Sequence, residues 1–400
     1  MFSWASTIFG SDEPSGNEPT TAKLTERGTV NNGGMTSYAF SGMQGWRVTM
    51  EDSHMACTTI PVDGSGRPLS KGHAIFGVFD GHGGDFTSDY AAANFLAIFS
   101  KHPSLTKYAS MKVDDQADVP GVCLLRKALS ETFSILDMEI RKKQNQRNDT
   151  IMTMTDHDPD RMVASRMRFE RSGSTVVVVM VTPSHIICAN AGDSRAVLQR
   201  DGRALPLSFD HKPSNIPELE RINDAGGFVR SKRVDGDLAV SRGFGDFSYK
   251  SIDGLPVKAQ KVIPQPEFVV YPRDSRRDQF VILACDGIWD VATNEECADF
   301  VQNLLDEGEN DLGLICEEAL DSCLEKNSRD NMTIAVVAFD GAKMAHGLNG
   351  KNAVWKRRTA RQAKSFERSA TIVATKAAAG VGLSFGQQRG KAPAVGAGCT

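Results

Sequence analysis

The sequence predicts an α+β fold, and three observations carry that prediction. Short apolar runs rich in Val, Ile and Phe recur between polar, Gly-containing turns, as buried strands do. Two of them, 172–181 and 185–192, are joined by Thr182-Pro-Ser184, a link short enough to require an antiparallel pair. Other stretches space their apolar residues three and four apart, as amphipathic helices do.

Residues 1 to about 35 are rich in Ser, Thr, Gly, Asn and Glu without periodicity, and read as a loose arm. Order is expected from Ser37-Tyr-Ala-Phe40. In the next segment, 45–54, Val48 and Met50 alternate with polar residues, which predicts a half-buried strand with Arg47 and Glu51 on one side. Ile75-Phe-Gly-Val-Phe79 is a buried strand that ends on Asp80-Gly-His-Gly-Gly84. Gly81 lets its backbone approach a ligand closely, and His82 exchanges protons near neutral pH.

Residues 85–102 follow as a helix with Asp85 suited to its cap, and 123–140 as a second helix after a polar stretch. Residues 141–172 are charged, Met-rich and irregular, and read as a surface insertion. Asp193-Ser-Arg195 follows the second strand of the antiparallel pair. Residues 209–236, with Asp210-His-Lys-Pro213 and a short helix-like 217–222, read as a flap over the site. Phe280–Cys285 repeats the earlier pattern, an apolar strand followed by Asp286 and Gly287. Helices are predicted over 293–306 and 311–326, and a polar turn with Asp330 precedes the last strand, 332–339.

Composition narrows the function classes. Of 400 residues, 40% are apolar and 24% charged, as in ordinary soluble proteins. No run approaches the ~18 apolar residues of a membrane helix, and the opening Met1–Gly10 lacks the basic region of a signal peptide. Phe at position 2 excludes N-myristoylation, and Cys399 lies too near the end for a prenylation box. The 8 cysteines form no C-x-x-C pair, which points to reduced thiols in an intracellular protein, cytoplasmic or nuclear, without a zinc site. From Ala342 to Thr400, eleven basic residues face one acid; with −4 for the whole chain, the remainder carries −14. An acidic body suits a hard cation better than nucleic acid.

Asp80, Asp193, Asp286 and Asp330 all sit beside apolar strands. A single such Asp is an ordinary turn former. Four of them, without nearby His or Cys convergence, point to an all-oxygen site for Mg²⁺ or Mn²⁺.

The ordered set Arg47-x-x-x-Glu51-Asp52, Phe79-Asp-Gly-His-Gly-Gly84, Ser172-Gly-Ser-Thr175, Asn190-Ala-Gly-Asp-Ser-Arg195, Asp210-His-Lys-Pro213, Leu238–Arg242 with Gly245-Asp246, Asp286-Gly-Ile-Trp-Asp290 and Ser328-Arg-Asp-Asn331 resembles the metal-dependent serine/threonine protein phosphatases of the PP2C class. The resemblance covers about 36–341. It implies a four-layer α-β-β-α sandwich of two antiparallel sheets flanked by helices, with a dinuclear metal site at one end. It implies two Mg²⁺ or Mn²⁺ ions with a weaker third, phosphoprotein substrates and a monomer.

Carried over, Asp80 resembles the acid bridging both metals and Gly81 a backbone carbonyl ligand. Asp286 and Asp330 resemble ligands of one metal, Glu51 the acid serving the other partly through water, and Asp193 the acid of the third site. Arg47 resembles the phosphate-binding arginine and His82 the general acid. Such a pair of cations would yield a bridging hydroxide nucleophile at neutral pH, and a guanidinium fork suits phosphate oxygens. Two other classes meet part of the pattern. A scaffold that has lost its ligands conflicts with the intact acids, and another dinuclear phosphoesterase, such as a nuclease, with the acidic body and the ordered motifs.

The segment 342–400 is a basic tail with no counterpart in that pattern. Trp355, Thr359, Ala363, Phe366, Ala370 and Val373 recur at helical spacing among Lys and Arg, the pattern of a basic helix for an acidic partner, an anionic membrane surface or the acidic body. Gly and Ala dominate after 377, so the tail as a whole reads as disordered.

Overall fold

The computed structural model describes residues 18–32, 34–62, 67–153, 170–342, 354–361 and 363. Eleven strands and eight helices make its frame. The strands are β1 Thr20–Asn32, β2 Met35–Gly45, β3 Ser53–Cys57, β4 Ala74–Phe79, β5 Val176–Val181, β6 His185–Ala191, β7 Arg195–Arg200, β8 Arg203–Pro206, β9 Glu267–Pro272, β10 Asp278–Ala284 and β11 Met332–Phe339. The helices are α1 Phe86–Phe99, α2 Pro103–Ser110, α3 Val113–Ala117, α4 Val119–Thr153, α5 Ile216–Asp224, α6 Asp286–Trp289, α7 Asn294–Asp306 and α8 Leu312–Glu325.

The strands form a six-stranded sheet, in order β1-β2-β11-β10-β7-β8, and a five-stranded sheet, β9-β6-β5-β4-β3. Their pairings are antiparallel throughout. Strand periodicity explains how the sheets stack. Along β4, Phe76 and Val78 join Phe40, Val177, Val281 and Val337 in a core between the two sheets. Ile75 and Phe79 point the other way, into a second core with Phe95, Leu129 and Phe133 of α1 and α4. A strand buried on both faces therefore shows a continuous apolar run rather than an alternation. Helix α8 covers β2 and β11 on the far side of the six-stranded sheet, completing four layers.

Several elements depart from expectation. Structure begins at Thr20 rather than Ser37, because β1 pairs along β2 as an edge strand. Its polarity hid it. Instead of an apolar face, β1 offers α8 ion pairs and a hydroxyl: Lys23 to Asp321 at 2.6 Å, Arg27 to Asp311 at 2.8 Å, and Thr25 to Glu317 at 2.9 Å. Of the expected arm, residues 1–17 and Gly33 lie outside the described residues.

Helix α4 runs on to Thr153, through the first part of the segment read as an irregular insertion; 154–169 lie outside the described residues. Past Ile140 its contacts turn polar. The buried Gln144 amide donates to Thr87 Oγ1 and to the Ser172 carbonyl, so no apolar period marks the helix. The polar stretch before α4 holds α2 and α3. Asp85 precedes α1, but its side chain makes no capping bond.

Residues 46–52 are not a strand: Val48 is 85% exposed, and the segment is a loop held from outside. The Gln44 amide donates to the carbonyls of Arg47 and Val48, and the Asn331 amide to those of Gln44 and Thr49. Residues 209–236 contain α5 and a small hairpin, Val229–Arg230 with Arg233–Val234, over a satellite cluster of Ile222, Val234 and Val262. Residues 352–400 group as a separate unit, in which 354–361 are helical. Phe366, Ala370 and Val373 lie outside the described residues.

Candidate metal centre

The site lies where the strands of both sheets end. Asp80 directly follows β4, which Phe79 anchors in the helix-side core. Its carbonyl accepts from the Thr175 amide at 2.9 Å, fixing the backbone just before β5. Asp193 sits in the turn between β6 and β7, Asp286 opens α6 after β10, and Asp330 lies in the turn before β11. The topology thus brings four loops, far apart in sequence, to one edge.

Carboxylate oxygens of Asp80, Asp193 and Asp286 lie within 4.8 Å of one another. A second group within that distance is Asp52, Asp80 and Cys285. Burial raises the pKa of Asp80 well above the ordinary carboxylate range, and the Asp286, Asp52, Asp193 and Asp330 charges add to it. Burial pushes Asp286 up to about 8, with Asp193 and Asp330 contributing, and Asp52 up to about 6. Among the described residues, neither Asp80 nor Asp286 has a Lys or Arg at ion-pair distance. Asp52 Oδ1 is buried without a hydrogen-bond partner, while its Oδ2 accepts from Thr333 Oγ1.

Crowded carboxylates of one sign, half-buried or buried, are costly unless a cation lies among them. The donors present fit a hard divalent ion: carboxylates, one of them with a buried oxygen left without a hydrogen-bond partner. Cys285 does not alter that assignment. Burial and the adjacent acids hold its thiol well above the ordinary range, and it bonds the backbone of Asn331 and Thr333.

The remaining residues expected at the site frame this cluster. Gly81 belongs to a short strand, Gly81–His82, beside Gly173–Ser174. A Cβ at Gly81 would collide with the Glu51 carbonyl and Ser88 Oγ, so no side chain fits there. Glu51 belongs to neither acidic group. Its carboxylate accepts from the Gly84 amide at 3.1 Å and the Thr49 hydroxyl at 2.8 Å. Asp330 also lies outside those groups of three, and pairs with Arg47. Asp193 pairs with the Lys212 ammonium at 2.5 Å.

His82 is a third exposed, and its Nε2 lies 2.8 Å from Asp246 Oδ2. Burial alone would lower its pKa, but the charge and hydrogen bond of Asp246 outweigh that, and the net shift is upward. Arg47, Asp80, Gly81, His82, Asp193, Asp286 and Asp330 all line one cleft of about 680 Å³. Arg171, Arg233 and Lys212 add positive charge to its walls, and Asp246 and Asp290 further acids.

Asp52, Asp246 and Lys212 received no role from the sequence. Asp52 stands in the first motif and is adjacent to Glu51, so the signal was present. Asp246 and Lys212 also stand in quoted motifs, but their partners lie 164 and 19 residues away, and the motifs do not show those contacts.

The chain matches the family profile described as Protein phosphatase 2C over residues 36–332. It is 38% identical over 325 residues to protein phosphatase 1B of Mus musculus, covering 81% of this chain and 75% of that one. To protein phosphatase 1A of Homo sapiens it is 38% identical over 320 residues, covering 80% and 75%. The match to bovine protein phosphatase 1B spans 60% of that protein's length. Among solved structures, a phosphatase from a pathogenic strain of Toxoplasma gondii superposes with a TM-score of 0.60 at 25% identity, over 82% of this chain and 98% of that one. Fold, acidic cluster and similarity over most of the chain agree: this protein belongs to the protein phosphatase 2C family.

Proposed function

We propose that the protein hydrolyses phosphoserine and phosphothreonine esters in proteins, using Mg²⁺ or Mn²⁺ held at the end of the sandwich. The observation that carries this reading is the group of Asp80, Asp193 and Asp286 oxygens, in one cleft with Arg47 and His82.

Asp80, with Asp286, Asp330, the Gly81 carbonyl and Glu51 around it, would hold the cations. Lys212 already neutralises Asp193, so a third cation there would be held more weakly. When bound, the cations supply a hydroxide-like water oxygen near neutral pH and neutralise charge on the phosphoryl group. The chain supplies the rest. Arg47, its side chain 57% exposed beside Asp330, offers the free edge of its guanidinium to two phosphoryl oxygens. His82 as imidazolium gives a proton to the departing serine or threonine oxygen, which leaves poorly as an alkoxide. The acidic walls disfavour a polyanionic nucleic acid strand.

Release of phosphate from a phosphothreonine peptide, with Mn²⁺ and then with excess EDTA, tests the reading. Turnover that stops in EDTA and returns with Mn²⁺ is expected. Equal turnover in EDTA, or cleavage of a phosphodiester in preference to the peptide, would contradict it.

A further inference from the structure

The loop around residue 246 is built with more constraint than a connection requires. Phe244–Gly245 pairs with Gly173–Ser174, which in turn pairs with Gly81–His82, so three short strands place residue 246 over the imidazole. Gly245 and Asp246 both take left-handed backbone, at φ 73° and 53°. Aspartate adopts that conformation at a cost, which persists where surroundings enforce it.

Those surroundings are buried and charged. The Gly245 amide donates to Asp137 Oδ1 at 2.9 Å. The Lys250 ammonium donates to the same oxygen at 2.7 Å and to the Gly243 carbonyl at 2.8 Å. The Arg141 guanidinium donates to the Lys250 carbonyl at 2.9 Å. Helix α4 thus clamps both sides of the loop. Gly173 packs beneath the pair, where an added Cβ would collide with the Asp246 carboxylate and His82 Nε2.

The outcome is a carboxylate, 6% exposed, aimed at one nitrogen of one imidazole. Nε2 of His82 is taken by Asp246, while Nδ1 has no hydrogen-bond partner among the described residues. We infer that Asp246 is the positioning residue for His82, holding Nε2–H so that Nδ1 presents the proton to the leaving oxygen. This rests on the reading of His82 as proton donor given above. As the P–O bond breaks, its electron pair stays on the serine or threonine oxygen, which takes the Nδ1 proton. His82 is left neutral, still donating Nε2–H to an ionised Asp246, and a proton from the attacking water restores the imidazolium.

The test compares His82→Ala, Asp246→Asn and the double variant on a phosphothreonine peptide and on p-nitrophenyl phosphate. Asn tolerates left-handed backbone, so Asp246→Asn removes the charge with little change to the loop. Nitrophenolate leaves without a proton. His82→Ala is therefore expected to lose about 10²–10⁴ in kcat on the peptide and far less on the aryl ester. Asp246→Asn should lose roughly tenfold or more on the peptide alone, with Mn²⁺ affinity by calorimetry unchanged, and the double variant should be no slower than His82→Ala.

Equal losses on both substrates in His82→Ala would overturn the proton-donor reading and this inference with it. Selective loss in His82→Ala, with an unaltered peptide rate in Asp246→Asn, would overturn the role of Asp246 alone. A second measurement needs no substitution: ¹⁵N NMR of the His82 ring in the intact chain. At a pH where the ring is neutral, the inference requires its single proton on Nε2, toward Asp246, and is overturned if that proton lies on Nδ1.

Discussion

Arg47 Nη2 stands 2.5 Å from Asp330 Oδ2, across 283 residues of sequence. The pair joins the arginine proposed above to bind phosphate to an acid proposed to bind metal, so each orients the other. The neighbouring Trp46 ring stacks against Arg329, with the guanidinium carbon 4.4 Å from the ring centre, closing the same two loops together.

Arg47→Ala should therefore lower kcat/KM by about 10²–10³ on phosphopeptide and aryl phosphate alike, as expected for a lost charged contact to the phosphoryl group. Arg47→Lys should recover only part of this, since an ammonium lacks the planar fork. Steady-state kinetics on both substrates checks it. A loss confined to one substrate class would assign Arg47 to the leaving group instead.

Helix α5, within 209–236, is anchored by a buried ionic cluster, and its contribution depends on pH. Glu218 accepts from Arg242 and from Ser241 Oγ, and lies 2.7 Å from Arg221. Burial works to raise its pKa, but these partners outweigh it and bring the value down to about 2, well below the ordinary glutamate range. A depressed carboxylate stabilises the fold above its unfolded pKa and stops doing so as pH falls through the folded value. Glu218→Gln should then cost on the order of 3 kcal/mol at pH 7, and the difference from the native chain should shrink between pH 4.5 and 2. Denaturant unfolding at a series of pH values reads this directly.

Without cations, the acidic cluster works against the fold. Asp286→Asn removes one of several crowded like charges, and Asn fills the same space. In EDTA this variant should melt no lower than the native protein, and by a few degrees higher, while losing peptide turnover. A lower melting temperature in EDTA would show that Asp286 supports the fold in its own right.

Much of this architecture was legible because its causes are local. The continuous apolar run of β4 records burial on both faces, and the Thr182-Pro-Ser184 link records an antiparallel pair. Helices α7 and α8 followed from apolar spacing, and the acids from their place beside apolar strands. The roles at the site, and the four-layer arrangement, came from resemblance to a family rather than from periodicity. What stayed hidden depends on distant partners. Strand β1 looks like a loose arm because its outward contacts are ion pairs with α8. Residues 46–52 look like a strand because Val48 and Met50 alternate, whereas amides of Gln44 and Asn331 hold them as a loop. His82 and Asp246 both stand in the ordered motifs, but nothing in either motif shows that the two side chains pair across 164 residues.

The central claim is that Asp80 and its neighbours form the cation site on which turnover depends. Calorimetric titration of Mn²⁺ into the metal-free protein, alongside phosphothreonine-peptide turnover at each addition, tests it most directly. Two equivalents should bind to the native chain, with activity rising as they bind. Asp80→Asn should lose both signals while its circular dichroism and cooperative melt remain. Turnover that appears without Mn²⁺ uptake, or Mn²⁺ uptake unchanged in Asp80→Asn, would contradict the account.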